Sequence, residues 1–144
     1  MSKLSKYFSW AEAVSSKRAD ELGIVNLPKV DCTKNIIEAA SRLDEVRELL
    51  NSPIIVSSWY RCEKLNAAVG GAKTSAHISG WAVDFTAKGI SNYDVACMIR
   101  DSNINFDQLI LEPSWVHISF DPKMRRDCLT LKKKGSPYLR GIIN

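Results

Sequence analysis

The chain lacks most of the features that would place it at a glance. Its four cysteines, Cys32, Cys62, Cys97 and Cys128, include no Cys-x-x-Cys pair, which excludes a zinc knuckle or a thioredoxin-like redox motif. Cys97 falls on an expected helix and Cys128 on an expected strand, so the thiols are expected to be reduced, structural and apolar in behaviour. No run approaches the ~20 apolar residues of a membrane span, and no membrane insertion is expected. The opening Met1-Ser2-Lys3-Leu4-Ser5-Lys6-Tyr7 has no apolar stretch of the length a secretory signal needs, so synthesis in a cytoplasm without a signal peptide is expected. Neither sign of charge dominates: 20 Lys and Arg against 16 Asp and Glu leave +4. That is too little to argue nucleic-acid binding, although it suits an anionic surface or polymer. There is no internal repeat. What remains is 45% apolar and 25% charged residues over 144 positions, the profile of one soluble domain.

Along the chain, Ser9 followed by Glu12 predicts a capping box, and Gly23 predicts the end of that helix. Trp10, Ala13, Val14 and Leu22 would form its apolar stripe. Ile36, Ile37, Ala40, Leu43, Val46, Leu49 and Leu50 recur at helical spacing and predict a helix over 34–50, ended by Asn51-Ser52-Pro53. Ile54 to Ser58 reads as a buried strand, and 62–69 as a short helix stopped by Gly70-Gly71. Trp81 to Thr86 reads as a strand with Ala82, Asp84 and Thr86 on one face. Ser91 to Ser102 reads as a helix with Val95, Met98 and Ile99 inward. Gln108–Glu112 and Trp115–Phe120 predict a hairpin, with a last strand near Cys128 to Leu131. The predicted class is α+β, with N-terminal helices packed on a mainly antiparallel sheet. One domain over 1–144 is expected, acting as a monomer, with 1–33 as N-terminal helix and loop and 132–144 as a solvated basic tail.

Histidine is the scarcest informative residue. Both copies sit in short motifs, Ser75-Ala76-His77-Ile78-Ser79-Gly80-Trp81-Ala82-Val83-Asp84 and Trp115-Val116-His117-Ile118-Ser119. His77, Asp84 and His117 make a two-histidine, one-carboxylate set with no soft thiolate. Three protein ligands with a fourth position open is the pattern of a catalytic zinc site. The non-haem iron facial triad uses the same residue types, but this order and spacing fit it poorly. His77 is expected at a loop or strand edge, and Asp84 and His117 on neighbouring strands. Two unrelated, hydrogen-bonded histidines are the plain alternative.

These motifs resemble the zinc D-alanyl-D-alanine carboxypeptidase family, whose fold is shared with the hedgehog signalling domain. The chain is most similar to its small phage-encoded, endolysin-like members. The matching elements are Ser57-Ser58-Trp59-Tyr60-Arg61, Leu65-Asn66, Val69-Gly70-Gly71, Ser75 to Asp84, Asp107 to Ile110 and Trp115 to Ser119. The opening from Leu4 to Pro28 is similar too. The resemblance implies one zinc ion on His77, Asp84 and His117. It implies hydrolysis of a peptide bond in the peptidoglycan stem or cross-link, after release through a membrane lesion or from a virion.

A carboxylate must also act as general base. Many relatives carry one three residues before the last histidine, where this chain has Ser114. Glu112 is the nearest acid. If Pro113-Ser114 is the whole hairpin loop, Glu112 pairs with Trp115 and shares the face of His117. Pro113 argues against that loop, because two-residue hairpin turns favour positive φ. Asp107 is the poorer candidate. Arg61 is the expected holder of a substrate carboxylate or oxyanion, and a surface ion pair is its alternative. Ser75, Trp115 and Ser119 are expected to support the ligands or touch substrate. Trp59 replaces a small residue of the relatives and is expected to narrow the entrance. A catalytically inactive zinc-binding structural or wall-binding module of the same fold is the competing reading.

Overall fold

Ser9 caps the first helix in the predicted way. In the computed structural model, which describes residues 2–144, the Glu12 N–H donates to the Ser9 hydroxyl (3.3 Å) and the Ser9 N–H donates to the Glu12 carboxylate (2.9 Å). The helix does not run on to Gly23, however. It splits into α1 (Trp10–Val14) and α2 (Lys17–Leu22). The break falls at Ser15-Ser16, where the Ser16 hydroxyl accepts the Ala19 N–H and starts a new helix. A serine that bonds its own neighbouring backbone competes with the helix ladder. Gly23 then ends α2 in the left-handed region at φ 67. Leu22 is exposed and belongs to no apolar stripe.

Helix α3 (Val30–Leu50) begins four residues before the predicted start at 34. The expected boundary after residue 33 therefore falls inside it. Its buried face is Ile36, Ala39, Ala40, Leu43, Val46 and Leu50, while Ile37 points to solvent. Asp44 on this helix accepts from the Ser5 hydroxyl (2.9 Å) and the Lys6 and Tyr7 N–H groups (both 3.1 Å), pinning the N-terminal segment. The remaining elements are β1 (Ile54–Ser58), α4 (Glu63–Ala68), α5 (Ala76–Ser79), β2 (Ala82–Ala87), α6 (Asn92–Arg100), β3 (Gln108–Leu111), β4 (Val116–Ser119), β5 (Asp127–Thr130) and β6 (Leu139–Arg140). On α6, Val95, Ala96 and Ile99 are buried, whereas Met98 is exposed.

The strands form one six-stranded sheet in the order β1-β2-β4-β3-β5-β6. Every pairing is antiparallel except β3 with β5. Strand β1 is an edge strand and Ile55 is exposed, so a short β-branched run here does not mean a strand buried on both faces. Val83, Phe85, Leu109, Leu111, Val116 and Ile118 line the sheet face that joins one core cluster with α3 and α6. Each fully buried large apolar side chain contributes roughly 1.5–3 kcal/mol, so this face carries most of the fold. The opposite face, at Asp84 and His117, is left free to carry polar groups. All four cysteines are free and half-buried, less enclosed than core residues. No helix is long and apolar enough to cross a membrane among the described residues.

Residues 132–144 are a tail only in part. Strand β6 pairs with β5, and Ile142 is buried in the core. The Thr130 hydroxyl donates to the Gly141 carbonyl (2.7 Å) and accepts the Ile143 N–H (2.9 Å). Composition hid this because three consecutive lysines dominate the segment, while the anchoring residues follow them.

Asp107 fastens the approach to β3. It is buried, and Arg125 donates to it from Nε (2.8 Å), Nη2 (3.0 Å) and its backbone N–H (3.0 Å). Burial pushes the Asp107 carboxyl up, but the Arg125 contacts outweigh it and hold the carboxyl below its ordinary value. A group depressed in the folded state contributes stability above its unfolded pKa and loses it as pH falls through the folded one. Acid unfolding should therefore steepen below about pH 4, and Asp107→Asn should flatten that dependence in denaturant titrations. An unchanged acid profile would refute the assignment.

Candidate metal centre

His77 lies on α5, a single helical turn, and not on a loop or strand edge. Ser75 starts that turn by accepting the His77 N–H on its hydroxyl (3.2 Å). Gly80 ends it at φ 89, where a Cβ would stand 2.6 Å from Ile36 Cγ1 and 3.2 Å from the Cys32 carbonyl oxygen. Only glycine combines that backbone with so close an approach, and the result is that α5 packs directly on α3.

The His77 side chain is 2% exposed, and its Nδ1 stands 2.6 Å from the Trp59 carbonyl oxygen. A carbonyl only accepts, so Nδ1 carries the proton and Nε2 keeps its lone pair. That Nε2 faces Asp84 Oδ2 at 3.2 Å. Asp84 and His117 are direct partners across β2 and β4, and His117 Nδ1 is 2.9 Å from Asp84 Oδ1. One donor atom from each of the three residues lies within 4.8 Å of the other two. Ligand bonds of about 2.0–2.2 Å in tetrahedral array set donors roughly 3.4 Å apart, a spacing of the same order as this set's.

The electrostatics agree with that use. Burial lowers the His77 pKa and favours the neutral imidazole, although Asp84 pulls the other way. Burial opposes ionisation of Asp84, but the His117 and His77 rings against it outweigh burial and hold the carboxyl far below its ordinary range. A neutral His77 imidazole and an ionised Asp84 carboxylate are protonation states that suit a metal. The donor set fits a divalent ion that takes nitrogen and oxygen ligands.

Glu112 reaches the same face. The hairpin loop is Pro113-Ser114, closed by the Glu112 N–H donating to the Trp115 carbonyl (3.0 Å). Neither loop residue has positive φ, so the turn forms without the conformation that Pro113 forbids. Ile110 pairs with His117 and Leu111 with Val116. One step on, Glu112 stands opposite Trp115, on the face of His117 and Asp84. Burial raises the Glu112 carboxyl above its ordinary value; His117 lowers it somewhat and Asp84 raises it further.

Arg61 follows β1, and its backbone N–H donates to the His77 carbonyl (3.1 Å). It makes no ion pair among the described residues. Burial lowers its pKa while the Asp84 charge raises it, which places the guanidinium near the ligands. Arg61 Nε, Glu112 Oε1 and Trp115 Nε1 are all buried without a hydrogen-bond partner. Arg42 Nε and Asn66 Oδ1, elsewhere in the fold, are buried in the same way, so it is the position of Arg61 and Glu112 near Asp84 that bears on the site.

Other expectations change. Trp59 does not narrow the entrance: its ring is 1% exposed, packs edge-on to Phe8 at 6.0 Å and donates through Nε1 to the Gly80 carbonyl (3.0 Å). Its backbone carbonyl, not its bulk, is what reaches the site. Ser119 is 2% exposed and its hydroxyl accepts the Asp121 N–H (3.2 Å), so it shapes the turn after β4 and does not face substrate. Asp107 is committed to Arg125 and unavailable as a base. Asn66 bridges locally, donating to the Ala72 carbonyl (2.9 Å). The sequence reading missed Asn26. Its amide donates to the Val14 (2.9 Å) and Tyr60 (3.0 Å) carbonyls and its Oδ1 accepts the Cys62 N–H (2.8 Å), holding the segment that bears Arg61. No spacing signal marks such a loop asparagine.

The family model described as Peptidase M15 matches residues 6–119. The matched segment contains His77, Asp84, Glu112 and His117, and it ends with β4, leaving the β5–β6 segment outside. No curated protein matches the chain.

Proposed function

The chain belongs to the Peptidase M15 family, whose members are zinc-dependent peptidases, and on that premise we propose that it hydrolyses a peptide bond in the peptidoglycan stem or cross-link. We infer that His77, Asp84 and His117 hold one zinc ion and that the enzyme works as a small phage endolysin. When bound, zinc supplies Lewis-acid chemistry: it polarises a carbonyl and makes water a better nucleophile.

The chain's own residues would do the rest. Glu112 takes a proton from the attacking water and passes it to the leaving amine. Arg61 holds a substrate carboxylate or the developing oxyanion through its planar fork of donors. The Trp59 carbonyl keeps His77 in one tautomer, and Ser75 holds the turn beneath it. Trp115 forms a wall whose Nε1 meets a substrate acceptor. The observation that carries this reading is the placing of the Glu112 carboxylate on the sheet face of the His-Asp-His group. A purely structural metal site would need no such acid. The inactive-module alternative drew on the lack of an acid at Ser114, and Glu112 on the ligand face weakens it.

Mass spectrometry of purified peptidoglycan digested with zinc-loaded protein tests the proposal. New stem-peptide termini that vanish with a chelator are expected, and their masses name the bond. A fully zinc-loaded protein that releases no fragments would favour the binding-module reading.

A further inference from the structure

The β5–β6 hairpin, outside the family-matched residues, extends the site. Leu111 pairs with Thr130, and the Leu131 N–H donates to the Leu111 carbonyl (2.9 Å). Thr130 in turn pairs with Leu139. Continued one step beyond the strand ends, this register would set Leu131 beside Glu112 and Tyr138 beside Leu131. Trp115, Glu112, Leu131 and Tyr138 would thus form one row across the sheet, on the face that carries His117. Strand spacing puts Tyr138 about 10 Å from Glu112 along that row, within reach of an extended substrate.

Tyr138 is 54% exposed, a large aromatic left open on a clamped segment. The clamp is independent of it: the Gly141 N–H donates to the Cys128 carbonyl (2.7 Å) and Lys132 Nζ to the Ile143 carbonyl (3.2 Å). Burial raises the phenol's pKa, and the Glu112 and Asp84 carboxylates raise it further, in keeping with a place near the site. Among the described residues no side-chain hydrogen bond holds it. It is therefore an uncommitted donor at the rim of a site where the peptide must be gripped.

We propose that Tyr138 is a substrate-binding residue: its O–H donates to a carbonyl oxygen of the bound peptide, away from the scissile bond. The hairpin then forms one wall of the substrate groove. This rests on the peptidase reading above. A contact remote from the reacting atoms holds ground and transition state alike, so its loss raises KM more than it lowers kcat.

The test is steady-state hydrolysis of a purified stem-peptide fragment by zinc-loaded full-length protein. Tyr138→Phe should raise KM roughly 3–10-fold, the range for one neutral hydrogen bond, with kcat within about twofold. Zinc content and thermal midpoint should not change. Tyr138→Ala should raise KM at least as much. If Tyr138→Phe matches wild type while Tyr138→Ala is impaired, the ring only packs and the proposal is overturned. Wild-type kinetics in both variants also overturn it, leaving the peptidase reading intact. A zinc-replete wild type without hydrolysis overturns both readings together.

Discussion

Glu112→Gln is expected to lower kcat on a peptidoglycan fragment by roughly 10²–10⁴-fold, the usual contribution of general acid–base catalysis. Zinc content and thermal stability should stay at wild type. Glutamine keeps the shape and can fill the same hairpin position, but it accepts no proton at neutral pH. Burial lifts the Glu112 carboxyl toward the range where a base works best. Glu112 Oε1 is buried and unpartnered, so the amide gives up no protein hydrogen bond at that atom. Paired measurement of kcat and bound zinc checks the assignment. A variant that keeps full activity would remove Glu112 from the mechanism and send the search to another proton acceptor.

Asp84→Asn should abolish both activity and zinc retention, which separates a ligand from a base. Its carboxylate stands between His77 Nε2 (3.2 Å) and His117 Nδ1 (2.9 Å), and the side chain is 12% exposed. An amide there leaves two imidazoles and no anionic donor for a divalent ion. The loss of affinity should exceed the roughly 10–100-fold that follows loss of a supporting hydrogen bond. Isothermal titration with zinc after chelator treatment reads it directly, with circular dichroism as the check on folding. An Asp84→Asn protein that binds zinc as tightly as wild type would sink the ligand assignment, whatever its activity.

The two variants probe residues that differed in legibility. His77, Asp84 and His117 were visible because ligand chemistry restricts which residue types serve and because His-x6-Asp and Trp-x-His are short local patterns. The face of Glu112 was only conditional. It turned on whether a proline-containing loop had two residues or more, and the Glu112 N–H to Trp115 carbonyl bond decides that. Helix α3 was legible from its apolar spacing, because burial of one stripe must repeat with the helical period. The break at Ser15-Ser16 was not, since a serine cap competes with helix continuation by a margin that periodicity does not register.

By itself, then, the sequence determined the class of the fold, the three candidate ligands and the acid nearest to them. Those follow from side-chain chemistry and from patterns a few residues long. Tertiary structure decided which groups converge. It set the His77 tautomer through the Trp59 carbonyl, buried the Trp59 ring in the core and drew a lysine-rich tail into the sheet so that Tyr138 comes near Glu112. The physical reason is the same in each case. A backbone carbonyl is present at every residue, and a cross-strand neighbour is set by register, so neither leaves a mark in composition or local spacing.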